Sequence, residues 1–221
     1  MPGQIHILTF HGLGIPERPL PNGEARYWLD PSVFEAILDC VRDRPDVFIT
    51  FDDSNSSDFK IALPALVKRK MRATFFQCSE RIGLPGFLTA DQLRQLANSG
   101  MAIGSHGTRH RPWATLDAGD LAEELNSSRH ELEALIGRPI EEAACPFGSY
   151  NRRVLRSARA AGYRKIYTSD QGPANPQAWI LPRNTITQGQ NEDHVGRLVN
   201  SRNGVVSGLF RKAKFTVKRL R

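Results

Sequence analysis

The chain has 221 residues, 40% of them hydrophobic and 24% charged, the composition of one globular domain large enough to bury a substantial core. No apolar run approaches the length of a membrane span, which argues against a helical membrane protein. The formal net charge is +7, but the basic excess gathers at the C-terminal end instead of forming a nucleic-acid surface, so no nucleic-acid partner is expected.

Met1-Pro2-Gly3-Gln4 passes straight into a strand-like Ile5-His6-Ile7-Leu8, without the basic segment and long apolar stretch of a secretory signal. Cys40, Cys78 and Cys145 stand at no metal-like spacing and fit a reducing cytosol. A cytoplasmic protein is the expectation. Strand-like runs then alternate with helix-like runs. The strands are Ile5–His11, Val47–Phe51, Arg72–Gln77, Met101–His106, Ile140–Phe147, Tyr163–Ser169 and Trp179–Ile186, short and nearly continuously apolar, as parallel strands buried on both faces are.

The helices carry their own punctuation. Asp30-Pro31 is a cap with proline at the first helical position, and Phe34, Ile37, Leu38 and Val41 follow at helical spacing. Asp58–Lys70 reads as a helix that Pro64 kinks. Thr89-Ala90-Asp91-Gln92 is a capping box, with Gly100 as the stop. Asp117–Ile136 is a long amphipathic helix closed by Gly137 and Pro139. Asn151–Ala161 ends at Gly162, and a last helix covers Glu192–Asn200. Gly12–Leu29 and Gln171–Gln177 read as rim loops. This alternation predicts a parallel α/β architecture in a single domain over residues 1–221. Periodicity alone leaves an open sheet and a barrel as alternatives.

Four fragments follow strand-like runs and carry the chemistry: Leu8-Thr9-Phe10-His11, Thr50-Phe51-Asp52-Asp53, Ser105-His106-Gly107-Thr108-Arg109-His110 and Cys145-Pro146-Phe147-Gly148. Adjacent carboxylates at a strand end, where the backbone turns, can face one site, although Asp53-Ser54-Asn55 also suits an Asx-turn. Two histidines four apart on a helical turn can face one cation. With Asp53 they make a face of two imidazoles and one carboxylate, a donor set for Zn²⁺ that also suits Fe, Co, Ni or Mn. His6 lies inside a strand and reads as structural, His130 as a surface residue, and Cys145 as a small buried hydrophobe. His194 opens the last helix.

In their order, T-F-D-D, H-x-x-x-H and P-F-G resemble the motifs of the polysaccharide deacetylase family, the NodB homology domain, over about Ile5 to Ile186. The resemblance implies a distorted (β/α) barrel of about seven strands with its site at the strand C-termini. It implies Asp52 as general base, and Asp53, His106 and His110 as ligands of a divalent metal, zinc. Pro146, Phe147 and Gly148 become a substrate wall whose Phe147 N–H holds an oxyanion. The implied activity is removal of N-acetyl groups from an amino-sugar glycan or a lipid-linked sugar.

The sequence departs from that pattern in three places. The arginine that pairs the base is replaced by Ala144, leaving Arg183 or Arg109 to supply it. The last strand, Ile180-Leu181-Pro182-Arg183-Asn184-Thr185-Ile186, lacks the acid histidine. Leu8-Thr9-Phe10-His11 resembles permuted members in which that histidine comes first, so His11 is the expected acid. Asp170 matches the family's orienting acid, but Gln171-Gly172 stand where a tryptophan is usual. Gly107 also replaces the usual Ser or Thr. Non-catalytic glycan binding and a related non-sugar amidase stay as alternatives. Residues 205–221 carry six cations from Arg211 onward among Phe215, Val217 and Leu220, either a solvated tail or a surface for anionic lipid heads or glycan.

Overall fold

A computed structural model describes residues 3–200; the basic tail lies outside the described residues. The element order is β1 (His6–Phe10), β2 (Gly12–Leu13), β3 (Trp28–Leu29), α1 (Pro31–Val41), β4 (Val47–Phe51), α2 (Leu63–Lys68), β5 (Ala73–Gln77), α3 (Ala90–Asn98), β6 (Ala102–Ser105), α4 (Ala118–Ile136), β7 (Glu142–Ala144), α5 (Arg152–Ala160), β8 (Lys165–Thr168), β9 (Ile180–Pro182), β10 (Asn184–Thr185) and α6 (Glu192–Asn200). No helix among them is long and apolar enough to cross a membrane.

The large sheet has eight segments in the order β10-β1-β4-β5-β6-β7-β8-β9. Its pairings are parallel, and β9 and β10 are two halves of one stave broken at Arg183. Ile180–Pro182 pair with β8, while Asn184 and Thr185 pair with Leu8 and Thr9 of β1. The ring is therefore closed, with seven staves once the two halves of the eight segments are joined. The expected barrel holds, and within it the first strand lies beside the last.

Alternation along the strands sorts side chains into layers. Ile7, Phe76, Ala144, Tyr167 and Leu181 form a cluster within the barrel. Phe10, Phe51 and Phe75 pack outward against Phe34, Ile37 and Leu38 of α1, Leu66 of α2 and Val195 of α6. A third cluster joins Leu121, Leu125 and Leu132 of α4 and Val154 and Ala158 of α5 to Ala143 and Ile166. Each fully buried Leu, Ile or Phe contributes about 1.5–3 kcal/mol, so these clusters hold the helices on the staves.

Two expectations need correction. Asp58–Lys70 is helical through Lys68, but its first part is not α-helical. A π-helical turn over Asp58–Ala62 precedes α2, and its wider ring accommodates Pro64, which lacks an N–H for the i→i−4 ladder. Gly12–Leu29 is not all loop: β2 and β3 pair at its two ends, Gly12 with Trp28 and Leu13 with Leu29. The Trp28 ring lies directly on Gly12, where a Cβ would stand 2.1 Å from an indole carbon.

Gly12→Ala should therefore cost about 1–3 kcal/mol through overpacking. Urea denaturation measures it, and an unchanged midpoint would contradict the packing described.

Candidate active site

The barrel brings the four motif fragments to one rim. Asp52 continues the ladder, its N–H bonded to the Phe10 carbonyl at 3.0 Å. The chain then turns through two left-handed residues, Asp53 (φ 82°) and Ser54 (φ 65°), which aims both carboxylates at one place. Ser54 is pinned by the Cys78 N–H on its Oγ at 2.8 Å, and its carbonyl accepts from Leu88 N–H at 2.9 Å. Six described non-glycine residues have positive φ, and four of them, Asp53, Ser54, His110 and Phe147, surround this site. Such strain persists only where surrounding structure enforces it.

His106 is buried, and its Nδ1 lies 2.8 Å from the Ala144 carbonyl. That bond requires Nδ1–H, which leaves the Nε2 lone pair for the site. Burial lowers its pKa to about 4, so the ring is neutral. Nε2 stands 3.7 Å from Asp52 Oδ2 and 3.7 Å from Asp53 Oδ1. His110 Nε2 lies 3.0 Å from the same Asp53 Oδ1. Burial would raise the Asp53 carboxyl, but His110, His11 and His106 hold it well below the usual range.

The two histidines do not share a helical turn as their spacing suggested. The segment is a loop with Gly107 at φ 82° and His110 at φ 56°. Its shape comes from Glu124, a buried carboxylate on α4. Glu124 accepts the Thr108 N–H at 3.0 Å and the Arg109 N–H at 3.1 Å. A Cβ at position 107 would meet Glu124 Oε2 at 2.3 Å, which explains glycine there. Glu124 was not singled out from the sequence. Its signal is an acid inside the apolar stripe of Leu121, Leu125, Ser128 and Leu132, where an ionisable residue needs a partner.

The Asp53, His106 and His110 ligand atoms all lie within 4.8 Å of one another. Asp53 Oδ1 is buried and makes no aligned hydrogen bond despite its short contacts. Lone pairs aimed at a common point leave that pattern. One carboxylate and two imidazoles, with Nδ1 of one tethered to a carbonyl, are a donor set that fits a divalent cation such as zinc.

Arg183 takes the place left open by Ala144. It grips Asp52 with both ends of its fork, Nη1 on Oδ1 at 2.7 Å and Nη2 on Oδ2 at 2.7 Å. The guanidinium is buried, 5.1 Å above the Phe76 ring and 5.9 Å from that of Tyr167. Burial alone would push the Asp52 carboxyl up; Arg183, with His106 and His11, reverses this and leaves it below its ordinary value. Arg109 instead pairs with Glu80 and Glu123. His11 follows β1, with its ring stacked on Tyr27 at 4.8 Å and its Nδ1 buried without a hydrogen bond. It is near enough to both aspartates to depress their carboxyls. Asp170 accepts from Tyr150 at 2.6 Å and Thr168 at 2.8 Å. Pro146 and Gly148 are buried, and the exposed Phe147 ring stands 4.4 Å from that of His110. His130 is exposed, and His194 Nε2 meets Gln190 at 3.2 Å.

Asp58, read only as a helix start, is fully buried behind the site. Burial, then the charges of Asp53 and Asp52, push its carboxyl well above the usual range.

Residues 41–166 match the family model for polysaccharide deacetylase. The chain belongs to that family, hydrolases of non-peptide carbon–nitrogen bonds. It is 26% identical over 216 residues to YxkH of Bacillus subtilis (strain 168), covering 90% of this chain and 77% of YxkH. It is 24% identical over 128 residues to the peptidoglycan-N-acetylmuramic acid deacetylase PdaA of the same organism, covering 56% of this chain and 46% of PdaA. Among solved structures, the Streptococcus pyogenes deacetylase PplD, in complex with acetate, superposes with a TM-score of 0.80 at 21% identity. That match covers 91% of this chain and 100% of PplD. IcaB of Ammonifex degensii gives 0.75 at 20% identity, over 90% and 97% of the two chains. At these identities the structural likeness shows the barrel.

Glu124→Ala would strand the buried Thr108 N–H, at about 1–3 kcal/mol, and the partly buried Arg109 N–H, at less. Chemical denaturation should show the loss, and zinc titration a weaker site. Zinc affinity equal to that of the parent would remove Glu124 from the assembly of the loop.

Proposed function

We propose that the protein is a metal-dependent de-N-acetylase of amino-sugar glycans. The observation that carries this reading is one buried cluster. Asp52, clamped by Arg183, stands beside the converging ligand atoms of Asp53, His106 and His110. A divalent ion held by those three would polarise the acetamide carbonyl and make water acidic enough to attack near neutral pH.

The chain's own residues supply the rest. Asp52 takes the proton of the attacking water. Arg183 fixes both carboxylate oxygens, so the base is oriented before substrate arrives, at some cost in basicity. The Phe147 N–H, in a loop set by its left-handed backbone at φ 56°, is the donor for charge that develops on the carbonyl oxygen. His11 gives a proton to the departing amine. Its stave neighbours that of Asp52, and its Nδ1 is not tied to another described residue. The products are acetate and a free amino sugar.

The names of PdaA and of a Pestalotiopsis chitin deacetylase, 26% identical over 166 residues and 51% covered, support a polymeric N-acetyl sugar as substrate. A groove of about 700 Å³ is lined by Ile15, Leu20, Trp28 and Ile61. It favours a second reading, a lipid-linked sugar taken at the cytoplasmic membrane face. Acetate release from chito-oligosaccharides and from a detergent-dispersed lipid-linked N-acetyl sugar compares the two.

His106→Ala should lose bound zinc and all acetate release while remaining folded by circular dichroism. Asp52→Asn should keep zinc yet lose on the order of 10²-fold or more in kcat. Near-normal turnover by the latter rules out Asp52 as base.

For His11, the measurement is kcat of His11→Ala at unchanged zinc content. A fall on the order of 10²-fold is expected for a lost acid. An unchanged kcat assigns the proton to another group.

A further inference from the structure

Four arginines stand around the site, and three have an acidic partner of their own. Arg183 is committed to Asp52, Arg109 to Glu80 and Glu123, and Arg18 to Glu24. The fourth, Arg81, finds its carboxylate in Asp53, at 3.2 Å, and donates to the Asp53 carbonyl at 3.2 Å. Asp53 is also the carboxylate that the proposed ion requires. Asp52 and Arg183 pair with each other. A divalent ion on Asp53 would take the carboxylate that Arg81 now faces and leave the guanidinium without an acidic partner of its own. A positive excess in a cleft draws an anion to it.

The guanidinium is also held ready. Arg81 ends the short helical turn Ser79–Arg81 that follows β5. That turn is tied to the histidine loop by Ser79 N–H on Gly107 O at 3.1 Å and Glu80 N–H on Thr108 O at 3.2 Å. Arg81 lies over the Phe87 ring at 5.2 Å, and Arg18 lies over the same ring at 4.6 Å. Its side chain is 22% exposed, neither sealed in nor free to swing. Among the described residues, Nη1 makes its hydrogen bond to Asp53 and the rest of the fork faces no protein acceptor. A planar fork in this state suits the two oxygens of a carboxylate or phosphate.

We propose that Arg81 is a specificity-determining residue that selects N-acetylated sugars bearing an anionic substituent, a carboxylate or a phosphate, beside the acetamido group. The inference rests on the deacetylase reading and narrows its substrate class. The placement supports it, because the guanidinium sits against the ligand atom shared by both histidines.

The test is calorimetric binding to zinc-saturated Asp52→Asn protein, with acetate release by the parent protein followed separately. The probes are N-acetylmuramic acid, N-acetylglucosamine phosphate and neutral diacetylchitobiose. One anionic sugar should bind about ten-fold or more tighter than the neutral one, the size of one charge-assisted hydrogen bond. A preference for the muramic acid names a carboxylate, and a preference for the phosphate names a phosphate. Adding Arg81→Gln should collapse the ratio toward one. Arg81→Lys, which keeps the charge and loses the fork, should retain part of it. Equal binding of the three probes, or a ratio that survives Arg81→Gln, overturns the inference. If the parent still releases acetate from neutral chito-oligosaccharides, the deacetylase reading stands without it. Binding of no probe, with no acetate released, overturns both together.

Discussion

The pair of Asp52 and Arg183 is the constraint from which the rest of the site is built. Two ions removed from water cost several kcal/mol each, and only a well-formed pair with both oxygens satisfied offsets this. Here the fork supplies both bonds, and Phe76 and Tyr167 within the barrel supply the floor beneath it. Thr50 Oγ1 lies 3.3 Å from the same guanidinium and 3.0 Å from Thr9 Oγ1. The pair therefore ties β4 to the last stave across the top of the barrel. Arg183 is also where that stave breaks, its halves pairing with β8 and β1. The residue that grips the proposed base thus stands at the point where the ring closes.

Around that fixed pair, the ligands are presented by backbone that would not hold its shape alone. Left-handed non-glycine residues cost about 1–3 kcal/mol each, and Asp53, Ser54 and His110 all adopt that conformation. The compensation comes from neighbouring elements: Cys78 N–H and Arg81 for the aspartate turn, Glu124 of α4 for the histidine loop. None of these bonds is local in sequence. The ligand geometry is consequently a property of the assembled barrel, and a ligand loop excised from it would relax.

This division explains what could be read from the chain. The motif residues were legible because each follows an apolar strand, and a barrel collects strand ends at one rim. The caps at Asp30 and Thr89 were legible because a cap is a local bond, and each accepts the expected N–H. The histidine loop was misread because a four-residue spacing looks helical, whereas its shape is imposed by Glu124, sixteen residues beyond Thr108. The choice between Arg183 and Arg109 stayed open because spacing along the chain carries no distance across it. Asp58 went unseen because an acid at a helix start is ordinarily a solvated residue, and nothing local announces its burial.

The two main departures from the family pattern become one change when placed on the closed ring. The stave that ends the barrel carries an inward arginine where the resembled pattern has its acid histidine. Arg183 fills the space above Phe76 and Tyr167 and takes both oxygens of Asp52. A histidine at the same position would leave that carboxylate buried and unpaired, since Ala144 has nothing to offer it. The acid must then come from a stave that still borders Asp52 without competing for its oxygens. β1 is such a stave, hydrogen-bonded to β4 on one side and to β10 on the other. His11 stands at its end. Moving the arginine onto the last strand and the proposed acid onto the first keeps both groups around the same aspartate. On the ring the acid moves one stave, between neighbours, and the arginine two, from β7 past β8, with no change in the barrel itself.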